Sequence, residues 1–245
     1  LNLQPGLLGD VRRLVIEKNT KSTTNPRGQN HRKTGGIWGH HLGKKKEGNI
    51  RILFQNIGGL GENTPKSSYK LDKLKKTVLA NEVDIYAMAE VNTDWRLVET
   101  ENTLWNRTKG WHKHRKISLS HNELGAKISP FQVGGTATIT ANEVACRVIE
   151  FGNDFRHLGR WSTTLLQGKG NIRTRIVTAY CPVKSYNVGG TYAQQLQGLA
   201  LDGIVDRCPK EVFWDDLKEC IEKWTADGEQ LIVMGDWNRH HEDTD

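Results

Sequence analysis

Apolar and polar positions divide the chain into a leader without periodicity and a patterned remainder. Residues 1–49 are rich in Gly, Asn, Thr and Lys and read as a basic, disordered leader; the ordered domain is expected to span residues 50–245. It should open with IRILF at 50–54, a β-branched and aromatic run that ends in the polar QN and the turn residues GGLG, as a buried strand does on entering a loop. From Tyr69 to Val83, Leu71, Leu74, Val78 and Leu79 recur at helical spacing with lysines opposite, which predicts an amphipathic helix. DIYAMAE at 84–90 predicts a second buried strand. A strand, helix and strand of these lengths imply a parallel pair joined by a crossover.

The pattern then shortens. WHKHRKISL, GGTATIT, RWSTTLLQ and NIRTRIVTAYC are runs of β-formers with period-two alternation, separated by Gly-containing turns, as in an antiparallel sheet. A polar stretch follows Pro182. Next, EVFWDDLKECIEKWTADG carries Phe213, Leu217, Cys220, Ile221 and Trp224 on one helical stripe, with Gly228 near the C-cap. QLIVMGDWN predicts another buried strand whose carboxyl end delivers polar residues. Together these elements predict two mixed sheets with helices outside them, and no internal repeat is visible.

Composition alters this picture little. A length of 245 residues suffices for one sizeable domain, and 36% hydrophobic with 26% charged residues is ordinary for a globular protein. No stretch approaches the roughly 20 apolar residues of a membrane span, and no basic cap with an apolar run marks a secretory signal. An intracellular location is therefore expected, the nucleus among the options, with no membrane partner. The absence of an initiating Met and the abrupt end at GDWNRHHEDTD suggest a piece of a longer chain.

Charge is more informative. The net +7 sits entirely in residues 1–49, which hold ten Lys/Arg against three Asp/Glu, while the remainder balances at 25 of each. Such a tail, with Arg32, Lys33, Lys44, Lys45 and Lys46, suits electrostatic binding of phosphate backbones, or is simply a solvated leader. Cys146, Cys181, Cys208 and Cys220 form no CxxC pair, so neither a zinc site nor a disulfide framework is indicated, and a reducing compartment is the default. The histidines of HKH at 112–114 and HH at 240–241 are expected at the surface rather than on a metal. Trp95, Trp105, Trp111 and Trp161 could stack bases or anchor the core.

Three predicted strands end in polar signatures: QN at 55–56, AEVN at 89–92 and GDWN at 235–238. A fourth, TAYCP, ends at Tyr180 and Pro182. Ligands of open sheets gather at strand carboxyl ends, so these four ends can face one cleft. A carboxylate there invites a hard cation, and Mg²⁺ suits one or two carboxylates plus amide oxygens and retained water. Glu90 with Asn56 would hold it. Asp236 would orient or deprotonate an attacking water, while Asn238 and Tyr180 would hydrogen-bond a phosphate oxygen. Each signature alone is more often a cap, an ion pair, a turn or a core residue, and it is their order on successive strands that points to a site. A phosphate loop at GGLGENTPKSS is excluded because Pro65 stands where Gly must precede the Lys.

Taken in order, QNIGGL, AEVN, AYCP and GDWN resemble the successive motifs of the endonuclease/exonuclease/phosphatase family over about residues 50 to 245. GGTATIT, GRWSTTLLQGKG, the TYAQQ segment and DLKECIEKW look like the endonuclease domain of non-LTR-type retroelements. The resemblance implies an α+β fold, a DNase I-like four-layer αββα sandwich. It also implies Mg²⁺-dependent hydrolysis of DNA phosphodiesters by an activated water, with Mn²⁺ as the alternative ion and a fused or downstream reverse transcriptase as a partner. By position, Glu90 and Asn56 would bind the metal, Asp236 would align the nucleophile, and Asn238 and Tyr180 would contact the scissile phosphate.

Two departures stand out. Val183 replaces the Asn that often follows Tyr-x-Pro, and the family's closing Asp-His pair has no counterpart, so the domain is expected to lack its last strands and to leave apolar surface uncovered. That absence keeps two other readings open: a catalytically inactive nucleic-acid-binding or decayed element fragment, and a phosphatase of the same fold.

Overall fold

The computed structural model describes residues 43–60, 65–125, 127–185, 187 and 189–238. The chain divides into two units, Leu1–Lys46 and Glu47–Asp245, and the fold below is that of the second. Eight strands are seen among the described residues. β1 (Ile52–Asn56), β2 (Ile85–Ala89), β3 (Arg115–Ser120) and β4 (Thr136–Ala141) form one sheet in the order β1-β2-β4-β3. β5 (Val148–Asn153), β6 (Trp161–Gln167), β7 (Arg173–Tyr180) and β8 (Glu229–Asp236) form the other in sequence order. Each sheet is mixed: β1 with β2 and β7 with β8 are parallel, and the remaining pairs are antiparallel. The helices are α1 (Pro65–Ala80), α2 (Leu104–Arg107), α3 (Asn142–Cys146), α4 (Thr191–Leu201) and α5 (Pro209–Ala226).

Strand alternation sorts side chains into layers. On the outer face of the first sheet, Leu53, Tyr86, Met88 and Ile139 pack against Leu71, Leu74 and Val78 of α1. On the outer face of the second, Val177, Ala179 and Val233 meet the predicted stripe Phe213, Leu217, Cys220, Ile221 and Trp224 of α5. Between the sheets lie Ile85, Val148, Leu166, Ile176, Ile232 and Met234. Small hydroxyl side chains also meet there: Thr138 and Thr178 at 2.6 Å, and Thr136 donating to Ser162 at 3.0 Å. These pairs satisfy one another, so they need no water in the gap. The result is an α+β, four-layer αββα sandwich.

Two features differ from the sequence reading, and a third decides between two readings of the tryptophans. The middle strands do not make one antiparallel sheet: β3 and β4 join β2, whereas β6 and β7 join β8, because the short α3 turn after β4 carries the chain to the facing layer. β5 and α4 were not foreseen. Trp111 and Trp161 are buried and Trp95 packs on the first core, so these three are anchors rather than base-stacking platforms. The exposed Trp105 lies under the Arg115 guanidinium, 4.2 Å from its ring centroid. β1 and β8 are the outer strands of their sheets and largely half-exposed. No described helix is long and apolar enough to cross a membrane.

Candidate active site

The alternation that builds the core also builds the site. In β8, Ile232 and Met234 face the gap between the sheets while Val233 and Trp237 face α5, so Asp236 points into the gap. In β7, Ile176 and Thr178 face inward, and Tyr180 follows them. In β1, Leu53 faces outward and Gln55 accepts the Tyr86 hydroxyl at 2.9 Å, which turns Asn56 inward. Glu90 follows β2 in a left-handed turn at φ 51°. Four strand ends therefore open on one end of the inter-sheet gap.

Contacts among these residues are direct. Asn56 Nδ2 donates to Asp236 Oδ2 at 2.7 Å, and Asn56 Oδ1 accepts from the Gly58 N–H at 3.0 Å. The Asn238 N–H donates to Asp236 Oδ1 at 3.2 Å. Asn238 Nδ2 donates to the Cys181 carbonyl at 2.7 Å, which ties the β8 end to the β7 end. The Tyr180 phenol lies beside the Glu90 carboxylate and Thr191. Burial first, then the neighbouring Glu90 carboxylate, hold that phenol well above its ordinary pKa, against a smaller opposing effect of Thr191. Asn56, Glu90, Tyr180, Asp236 and Asn238 thus converge. Of the basic candidates, Lys44 and Lys46 are exposed and Lys45 is half-buried in the first unit. Arg32, Lys33, His240 and His241 lie outside the described residues.

Supporting residues escaped the sequence reading. Lys70 on α1 donates to the carbonyls of Ile57, Gly58 and Gly59, clamping the turn that follows Asn56. Nothing local marks it among the lysines of that helix. Asn92 Oδ1 accepts from the Gly134 N–H at 2.7 Å, joining the loop after β2 to the entry of β4. It stood within the AEVN signature, but its long-range partner was invisible. Gly134 (φ 87°) is needed because a Cβ there would lie 3.0 Å from Thr191 and 3.7 Å from the Tyr180 ring. Glu90, Asn92 and Asn238 all have positive φ, of 51°, 52° and 46°. For Glu90 above all this is a strained conformation, of the kind that collects at functional sites and costs on the order of 1–3 kcal/mol each.

Among the described residues no three His, Cys, Asp or Glu side chains cluster closely enough to hold an ion. The donors at the gap are two carboxylates, Glu90 and Asp236, and the remaining lone pair of Asn56 Oδ1. Every salt bridge among the described residues lies elsewhere, so neither carboxylate has a cation partner among them. A sparse oxygen set completed by water fits Mg²⁺, which dehydrates reluctantly, better than zinc, which takes a closed N/S set.

No family model matches the sequence, and no curated protein matches it. Solved structures do resemble the fold. The 3′ phosphatase NExo from Neisseria, bound to a product DNA hairpin, is 14% identical with a TM-score of 0.49, covering 80% of this chain and 60% of its own. An AP endonuclease from Archaeoglobus fulgidus is 15% identical with a TM-score of 0.48, covering 80% and 60%. The catalytic domain of human Nocturnin, with a bound sulfate anion, is 16% identical with a TM-score of 0.45, covering 79% and 65%. The chain thus spans about 60% of the length of the first structures that it matches. At these identities and scores the likeness supplies no functional inference.

Proposed function

We propose that this chain is a phosphodiesterase acting on DNA with Mg²⁺, an endonuclease of the retroelement type. The observation that carries the reading is the convergence of Glu90 and Asp236 from different sheets, beside amides and a phenol and with no cation partner among the described residues. Buried or half-buried carboxylates are normally paired, and a pair left to neutral donors is suited to an external one. Asp236, fixed on both oxygens by Asn56 and Asn238, is placed to accept a proton from an attacking water. Tyr180 keeps its proton across the neutral range and is available to donate to Glu90 or to a phosphate oxygen. Glu90, with Asn56, would hold the Mg²⁺, which when bound supplies Lewis-acid stabilisation of charge on the phosphate and leaving oxygens. The basic residues of the leader, including Lys44, Lys45 and Lys46, would add sequence-independent attraction to the backbone.

Nicking of supercoiled plasmid tests this reading. The full chain should nick with Mg²⁺ and not with EDTA, and Asp236→Ala and Glu90→Gln should each lower the rate by about 10²-fold or more. Equal nicking by Asp236→Ala would overturn it. A second reading, DNA binding without cleavage, is favoured by one observation: Asn238 Nδ2 and Asn56 Oδ1 are already engaged by protein groups. Retention of plasmid without nicking at any Mg²⁺ or Mn²⁺ concentration would support it.

A further inference from the structure

Beside the site lies a cavity of about 380 Å³, within the range of small-ligand pockets (about 300–1,000 Å³), and we propose that it binds a nucleobase of the substrate strand, adenine preferentially. The ligand class rests on the phosphodiesterase reading; the pocket itself does not. One wall is a face of α4. Thr191, Gln194, Gln197 and Leu201 follow at helical spacing, and Thr191 is the residue that touches both Gly134 and Tyr180. At 1.5 Å per residue, Gln194 stands about 4.5 Å along the helix from Thr191, and stacked nucleotides rise about 3.4 Å each, which places the pocket roughly one to two nucleotides from Tyr180. The opposite wall carries Phe131, which is three residues before Gly134, so both walls lead out of the same site.

The lining selects the ligand. Phe131 is 60% exposed at the rim with the exposed Ile128 and Leu201, offering an aromatic and apolar face. The floor is built and neutral. Asp94 is buried and takes Arg96 at 2.9 and 2.7 Å, and Arg96 in turn holds the carbonyls of Glu123 at 2.5 Å and Gly125 at 3.0 Å. Gln132 and Asn122 are closed on each other, at 2.8 and 2.7 Å. No Lys or Arg is among the residues that line the pocket, and the Arg96 beneath it is paired, so the lining does not favour a phosphate. The uncommitted polar groups are amides: Gln194 Oε1 is buried without a hydrogen-bond partner, and Gln197 is exposed beside it. A planar apolar ring with a donor and acceptor edge matches this set, and glutamine pairs well with the adenine edge.

Fluorescence anisotropy of the full chain in EDTA tests this, using single strands of equal length: oligodeoxyadenylate, oligothymidylate and an abasic strand. Phe131→Ala should weaken oligodeoxyadenylate binding by about five- to tenfold and abasic binding by less than about twofold, since stacking on one aromatic carries an effect of that order. Gln194→Ala with Gln197→Ala should bring the adenylate and thymidylate affinities together. Because Phe131 is at the surface, its variant should keep the wild-type circular dichroism and thermal midpoint. Unchanged adenylate affinity in Phe131→Ala, or an equal loss on the abasic strand, overturns the pocket. Phe131-dependent binding by a chain that never nicks plasmid would retain the pocket and remove the phosphodiesterase reading. Nicking that needs Asp236, with binding indifferent to Phe131, would do the reverse.

Discussion

Two polar clusters in this molecule contain carboxylates, and they are finished differently. In the first, Asp154 and Arg160 have no solvent exposure. Asp154 takes Arg160 Nη2 at 2.6 Å and Nε at 2.7 Å, and also the N–H groups of Arg156 and Leu158 at 3.0 and 3.1 Å. Asp216 takes Arg156 Nε at 2.6 Å, and Arg160 Nη1 lies 2.8 Å away, an ion-pair contact off the hydrogen-bond direction. The Arg160 guanidinium also covers the Trp161 ring at 4.5 Å. In the second cluster, Asp236 and Glu90 are half-exposed and, among the described residues, have amides and a phenol rather than a cation beside them. A saturated cluster holds the fold together, and an unsaturated one is left able to take something from outside. The two are neighbours, since the Tyr180 N–H donates to the Arg160 carbonyl at 2.8 Å.

The contrast can be broken most forcefully at Arg160. Arg160→Met leaves Asp154 buried with a charge and no cation, and should lower stability by about 3–5 kcal/mol in urea unfolding. An unchanged midpoint would mean that the saturated cluster is not structural. The next effect is smaller, at Asp94. Burial raises its pKa, but hydrogen bonds and charge from Arg96 outweigh burial and hold it below the ordinary carboxylate value. A depressed carboxylate stabilises the fold above its unfolded pKa, about 4, and that contribution fades as pH falls through the lower folded value. Asp94→Asn should therefore cost about 2 kcal/mol at neutral pH, with the gap from wild type closing below about pH 4. A gap independent of pH would sink that assignment. The smallest effect should be Asp236→Asn, which should shift stability by no more than about 0.5 kcal/mol. A loss as large as that of Arg160→Met would place Asp236 with the structural cluster.

Legibility in the sequence follows the same division. Asn56, Tyr180 and Asp236 were readable because each lies in its own strand's period, one inward step beyond residues that had to be buried. Glu90 was readable only from its place after a buried run, and its turn at φ 51° was not. β5 was missed because Ile149 and Phe151, both about half exposed at the edge of the sheet, carry no inward-outward contrast. α4 was missed because Gly198 interrupts a weakly apolar segment; its lack of a side chain is what lets Leu158 approach, 2.3 Å from where a Cβ would be. The Asp154, Arg160 and Asp216 cluster spans 62 residues, and no local pattern links the members. Periodicity reports which face a residue takes, not which distant residue meets it there.

The bond from Asn56 to Asp236 joins residues 180 positions apart. During synthesis the first is made long before the second, by roughly 10–40 s at ordinary rates of translation. Until β8 has left the ribosome, Asn56 has no carboxylate to hold and Asp236 does not exist. A nascent chain, surrounded by nucleic acid, therefore carries no assembled cleft, and whatever chemistry the cleft performs switches on only when the last of these strands docks.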